Sequence, residues 1–358
     1  MTSPGLLSIG TATPEGRVPQ AEAAELAVAV QPTPDHDRAI RALYARAGIL
    51  ARATALGAPD ELRAFFRAGL AHGPSTAKRA AAYREHAGPL AARAARQALE
   101  RADLAPQAVT HLITVSCTGF DAPGADQHLI RELGLKPTVR RTNIGFMGCH
   151  AAINALAVAA AFARADADAR VLVCCVELCT LHFSYHTATD RLVANALFAD
   201  GAAAAVVAAT SLDSPRLHHF ASVILPDSRD QMAWSIGDHG FEMSLSPLVP
   251  ETLARAVPPW TKAWLDQTGL ATRDIARWAI HPGGPRVLSA LRDALELPHD
   301  AVDTSRAILA AHGNMSSATV LFIIEQMLAD PDRATLPLVA MAFGPGLAGE
   351  ALLLTAPA

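Results

Sequence analysis

Short apolar runs alternate with longer Ala-rich stretches along most of the chain. The runs 111–116 (HLITVS), 171–176 (VLVCCV), 202–208 (AAAAVVA), 276–281 (ARWAIH), 336–341 (LPLVAM) and 351–355 (ALLLT) predict strands. Several are apolar at nearly every position, the pattern of strands covered on both faces. The stretches 88–103, 149–164, 251–268 and 314–329 predict helices between them. Buried strands with intervening helices define a layered α/β fold. The polar, turn-like segment SLDSPR at 211–216 divides the chain into an N-terminal part, 1–213, and a C-terminal part, 214–358.

The two parts resemble each other. GFMGCHAAINALAVAAAFARADADARVLVCCVE reads as tight turn, helix, short loop and strand, and so does HGNMSSATVLFIIEQMLADPDRATLPLVAMAFG. Cys149 and Asn314, Val171 and Leu336, and Ile113 and Trp278 are each separated by 165 positions. Each part then closes with a Gly turn feeding a strand, FADGAAAAVV in one and FGPGLAGEALLL in the other. A long-period repeat of this kind predicts two halves packed about a pseudo-twofold axis.

Composition narrows the function. A chain of 358 residues exceeds one small domain, and 51% hydrophobic with 18% charged residues excludes disorder and allows a large core. A formal net charge of −4 carries no basic footprint for nucleic acid. The start lacks the basic and apolar regions of a secretory signal, and the longest apolar stretches fall short of a membrane span. The five cysteines Cys117, Cys149, Cys174, Cys175 and Cys179 are odd in number and show no CxxC pairing, which excludes a disulfide framework or structural zinc and predicts a reducing cytoplasm.

Three polar residues stand out. Cys149 follows GFMG and opens a helical run, where the helix dipole favours a thiolate. Cys174, Cys175 and Cys179 read as small buried apolar residues. His281 ends a strand and precedes PGGP, a rigid loop that presents the ring at an edge. Asn314 in HGNMSS, taken alone, is a sufficient helix N-cap. The repeat gives it a second meaning, because it occupies in one half the place of Cys149 in the other. Thiol, imidazole and carboxamide then converge at the junction of the halves.

With these residues in place, the chain resembles a type III polyketide synthase, the chalcone synthase-like branch of the thiolase superfamily. The matching stretches are IGTATP near the start, CTGFDAPGAD at 117–126, FMGC, LFADGAAA at 197–204, IHPGGP at 280–285, GNMSSATVLF at 313–322 and FGPGL at 343–347. The resemblance implies a thiolase-like five-layered αβαβα sandwich, a homodimer, and a catalytic triad of Cys149, His281 and Asn314. It implies that Cys149 takes a starter acyl group from acyl-CoA, with His281 stabilising the thiolate. Malonyl-CoA then decarboxylates to an enolate held by His281 and Asn314, and the enolate attacks the acyl group. No cofactor is implied beyond the CoA thioesters. The product would be a pyrone, a resorcinol or a related aromatic.

The same resemblance assigns substrate-pocket positions to Phe198, Met243, Ser316, Cys117 and His182. Cys117 and His182 replace threonines of the plant enzymes, and Ala122 replaces a Met that reaches into the partner's cavity. The loop between Phe183 and Phe198 is two residues shorter. A roomier or redirected pocket follows, as in bacterial enzymes that take long acyl starters. For the CoA phosphates, the basic residues Arg41, Arg46 and Arg52 lie in the matching region, with Arg52 the best match and a solvated helix face the competing reading. Two other classes compete for the whole chain. A ketoacyl-ACP synthase III shares fold and triad but usually carries HQAN and Gly-Asn-Thr motifs, and a Cys-His-Asn thioester hydrolase would form no carbon–carbon bond.

Overall fold

The computed structural model describes residues 4–30, 34–66, 72–186, 188–209, 214–329 and 336–357. Among them the strands are, in chain order, β1 (Pro4–Ala12), β2 (Gly16–Pro19), β3 (Ala51–Thr54), β4 (His111–Ser116), β5 (Arg140–Gly145), β6 (Arg170–Leu178), β7 (Asp200–Ala209), β8 (Arg216–Ile224), β9 (Met232–Gly237), β10 (Gly240–Leu245), β11 (Arg277–Ile280), β12 (Leu338–Gly344) and β13 (Ala348–Thr355). Nine of them form one sheet in the order β11-β12-β13-β8-β1-β7-β6-β4-β5. The seam lies between β1 and β8, which share a single registered pair, Gly5 with Arg216. The chain thus builds five strands on one side of the seam and four on the other. In each half a parallel pair is followed by an antiparallel neighbour: β4 and β6 with β7, and β11 and β12 with β13.

Side-chain alternation explains the layers. In β6, Val171, Val173 and Cys175 face one cluster while Leu172, Cys174 and Val176 face another. The first cluster is central. It contains the buried faces of the helices Ala151–Ala165 and Thr319–Ala329, together with Ala340, Ala342 and Leu352 of the C-terminal strands. The second cluster covers the outside of the N-terminal sheet with the helix Thr76–Arg101. A third covers the outside of the C-terminal sheet with the helices Val249–Asp266 and Pro285–Ala294. Helix, sheet, helix pair, sheet and helix pair make the five layers, the thiolase-like αβαβα arrangement. Ala at 151, 152, 155, 159, 160 and 163 lets both sheets close on the central helix, while each fully buried Leu or Ile there contributes about 1.5–3 kcal/mol.

The predicted elements are present with shifted ends. The helix expected at 88–103 begins at Thr76, because Ser75 caps it by accepting from the Lys78 N–H. The α-helices expected from 149 and 314 begin instead at Ala151 and Thr319, each after a single 3₁₀ turn. Both helix starts, and the strand starts at Arg170 and Leu338, differ by 168 positions, so the structural repeat is three residues longer than the matched one. By element, Ser317 is the counterpart of Cys149, and Asn314 lies just upstream of the turn. Of the boundary segment 211–216, residues 211–213 lie outside the described residues. Among the described residues one helical span, 148–165, is long and apolar enough to cross a membrane, and it is the central buried helix of the sandwich.

Candidate active site

The site begins at the end of β5. Phe146 has a φ of +59° and Gly148 a φ of +80°, so two of three consecutive residues turn the chain through left-handed conformations. Gly148 is required for a second reason: a Cβ there would fall 2.3 Å from Cδ of Pro345. The FMGC and FGPG motifs therefore meet face to face. Gly148→Ala combines backbone strain of about 1–2 kcal/mol with this clash. It is expected to reduce turnover by about 10- to 100-fold by displacing Cys149, measured as product formed per folded enzyme.

Cys149 is buried in the turn Gly148–His150. The polar side chains of Ser316 and Asn314 lie beside its sulfur and favour its charged form. Burial pushes the thiol up to about 12, and the Glu177 carboxyl adds to the rise; the polar side chains of Ser316 and Asn314 oppose it without reversing it. The dipole-favoured thiolate expected from the sequence is thus not the resting state. Cys149 precedes the first α-helical turn, and loss of water costs the thiolate more than the helix end returns.

Asn314 is held through its backbone. It forms a parallel bridge with Phe198, its N–H donates to Leu197 O at 2.9 Å, and its carbonyl accepts from the Ala199 N–H at 2.9 Å. Its side-chain Oδ1 accepts from the Ser316 N–H at 2.9 Å, which leaves the amide nitrogen as the donor facing Cys149. Ser316 itself has a φ of +48°, and its hydroxyl stands 3.1 Å from the Cys117 sulfur, between two thiols.

His281 follows β11, with its N–H donating to Met341 O. The ring is buried, and among the described residues neither nitrogen has a hydrogen-bond partner. Burial lowers it to about 3, with the neighbouring His150 adding to the drop, so the imidazole is neutral. No hydrogen bond joins it to Cys149 or Asn314. A buried, neutral imidazole with both nitrogens unpaired is costly and leaves its donor and acceptor available to a ligand.

Two cavities approach this point. One of about 400 Å³ is lined by His281, Gly283, Gly284, Leu197 and Phe343. The other, about 20 Å³, is the chamber over Cys149, lined by Cys117, Phe198, Trp234, Met243 and Ser316. Met232 lines both. His182 lies one shell out, beside a third apolar cavity that shares Phe198, Trp234 and Met243 with the chamber. Its Nε2 donates to Thr118 O, its Nδ1 accepts from the Phe241 N–H, and its ring stacks on Phe241 at 4.2 Å. Cys179, expected to be plain core, lines the chamber.

Two residues of the site escaped the sequence reading. Glu177 is fully buried at the end of β6 and accepts from Thr118 Oγ1, Ser317 Oγ and the Cys117 N–H. Burial raises its carboxyl, against the pull of those donors. A lone carboxylate closing the apolar run VLVCCVE was the available signal. Trp234 on β9 donates its Nε1–H to Cys117 O at 2.6 Å and forms a chamber wall.

Arg52, the expected CoA contact, is held inside the protein. Its guanidinium is buried and donates to Asn195 O, Phe198 O, Ala196 O and Gln20 Oε1. These bonds occupy Nη1 and Nη2, and the side chain lines the apolar cavity beside Phe198 and Met243. Arg41 is on the surface, paired with Glu25. Arg46, together with Arg286 after the PGGP loop, borders the larger cavity.

A five-layered α/β sandwich with a buried thiol, carboxamide and imidazole at the junction of its halves defines a thiolase-like condensing enzyme. Residues 2–211 match the family model for the N-terminal domain of chalcone and stilbene synthases, and residues 216–357 match the C-terminal domain. The chain belongs to this family and is a type III polyketide synthase, an acyltransferase that forms carbon–carbon bonds. It is 32% identical over 354 residues to the alpha-pyrone synthesis polyketide synthase-like Pks18 of Mycobacterium tuberculosis, covering 96% of this chain and 89% of that protein. It is 33% identical over 355 residues to the 1,3,6,8-tetrahydroxynaphthalene synthase of Streptomyces peucetius subsp. caesius, covering 97% and 92%. The crystal structure of PKS-I from the brown alga Ectocarpus siliculosus superposes with a TM-score of 0.91 at 27% identity, covering 99% of each chain.

Proposed function

We propose that this synthase loads an acyl group from acyl-CoA onto Cys149 and extends it with malonyl-CoA by decarboxylative Claisen condensation. The observation that carries this reading is the placement of the Asn314 and Ser316 side chains beside the Cys149 sulfur in an apolar chamber. As Sγ attacks the thioester carbon, the thiol proton passes to the neutral His281 and then to the departing CoA thiolate. In the second stage malonyl-CoA loses carbon dioxide, and the electron pair of the broken bond becomes the enolate. The Asn314 amide and the N–H of neutral His281 donate to its oxygen. Attack on the Cys149 thioester forms the carbon–carbon bond and expels Cys149 as the thiolate, which regains its thiol by taking up one proton from solvent. Decarboxylation supplies the nucleophile, so no metal or redox cofactor is demanded.

The 400 Å³ cavity is the route for the CoA arm, with Arg46 and Arg286 near its phosphates in place of Arg52. Two further parts of the proposal are a division at residues 213/214 and a homodimer working in the cytoplasm. Phe120 is 60% exposed yet stacks on Phe241, an apolar surface a second copy would cover. Incubation with malonyl-CoA and a panel of acyl-CoA starters, read by mass spectrometry, tests the function. Starter-dependent polyketides support it, and release of free acids alone overturns it.

Asn314→Ala is expected to slow malonyl-CoA decarboxylation about 100- to 1000-fold, the usual loss of one oxyanion donor. Acyl loading should fall far less, because Ser316 still lies beside the sulfur. Parallel assays of carbon dioxide release and covalent acylation check this; equal losses would remove the assigned role.

A further inference from the structure

Arg52 is a buried cation without a salt bridge among the described residues, and its partners are unusual. Asn195 O and Ala196 O belong to the last turn of the helix Thr189–Leu197, whose terminal carbonyls have no intrahelical partners. Phe198 O belongs to the residue that leaves the helix. One planar guanidinium therefore fixes the helix end and the first residue beyond it. The same segment carries the active site. Leu197 O and the Ala199 N–H bind the Asn314 backbone on either side, and the Phe198 ring walls the chamber over Cys149. The Arg52 stem also reaches this point: a Cβ on Gly313, whose φ is +76°, would meet Ala199 Cβ at 2.8 Å and Arg52 Cβ at 3.7 Å.

We infer that Arg52 is a positioning residue, which sets the Asn314 amide and the Phe198 wall by clamping the carbonyls of residues 195, 196 and 198. The inference rests on the role proposed for Asn314. Gln20 completes the clamp, accepting from Arg52 and donating to Ala196 O and Tyr44 O.

The test separates positioning from CoA contact. Arg52→Met is assayed with malonyl-CoA and with malonyl-N-acetylcysteamine, a thioester lacking phosphates. Positioning predicts a kcat loss of about 10- to 100-fold on both substrates, with KM within about twofold of wild type. Decarboxylation should suffer more than acylation of Cys149, and Arg52→Lys, which keeps the charge but not the fork, should recover only part of the loss. A defect confined to KM for malonyl-CoA and absent with the phosphate-free thioester would overturn the inference, as would wild-type kcat in folded Arg52→Met. If Arg52→Met does not fold, Gln20→Leu replaces it. That variant should show the same pattern at about 3- to 10-fold, and an unchanged kcat counts against the clamp. Normal decarboxylation by Asn314→Ala would instead sink the underlying reading, whatever Arg52→Met does.

Discussion

Cys149→Ala should form no covalent acyl-enzyme and lose at least about a thousandfold in polyketide formation, the scale on which removal of a catalytic nucleophile acts. Decarboxylation of malonyl-CoA should survive, because its donors lie on Asn314 and His281. The chamber holds other sulfurs, and Cys117 is the nearest alternative, across Ser316 from Cys149. It is a poor substitute. Burial and the Glu177 carboxylate both raise its thiol well above the ordinary range, and the carboxylate already receives its S–H. Intact-protein mass after exposure to acyl-CoA checks the first loss, and carbon dioxide release checks the surviving step.

A second large effect concerns stability at high pH. All five free thiols are buried. Burial raises Cys149 and Cys174 to about 12 and holds Cys117, Cys175 and Cys179 well above the usual value of 9. Above pH 9 the unfolded chain releases these protons and the folded chain does not. The stability contributed by each thiol is complete below that pH and is lost as pH rises toward the folded values. Each contributes about 1.4 kcal/mol per pH unit, so five together predict a loss on the order of 5 kcal/mol between pH 9 and 10. Urea midpoints at pH 8, 9 and 10 measure it. A flat profile would mean that the thiols ionise in place, against the dry interior described above.

The buried core was the most legible part of the chain. The all-apolar runs of β6 and β7 and the Ala-rich helix after Cys149 announce their place because nothing else in a protein can cover them. β1, β5 and β8 of the main sheet went unread, as did the short strands β2, β3, β9 and β10. β5 (RRTNIG) is an edge strand, exposed along much of its length, and β8 (RLHHFASVI) alternates too weakly to stand out. The site was legible where chemistry demands a residue type at a sharp turn, as at Cys149 and Asn314. It was illegible where a side chain's meaning comes from distant backbone. Arg52 was read as a phosphate ligand because the family resemblance places basic residues in its segment. Its actual partners are carbonyls more than 140 positions away, which no local pattern encodes. Glu177 was passed over for the same reason, since its donors come from Thr118 and Ser317.

The central claim is that one buried sulfur carries the growing chain while a carboxamide and an imidazole beside it stabilise the enolate. The most direct measurement is peptide mapping of enzyme quenched during turnover with acyl-CoA and isotope-labelled malonyl-CoA. Starter and extended acyl groups should both be found as thioesters on the peptide containing Cys149. Acylation of Cys117 alone, or labelled product formed with no adduct on Cys149, would contradict it.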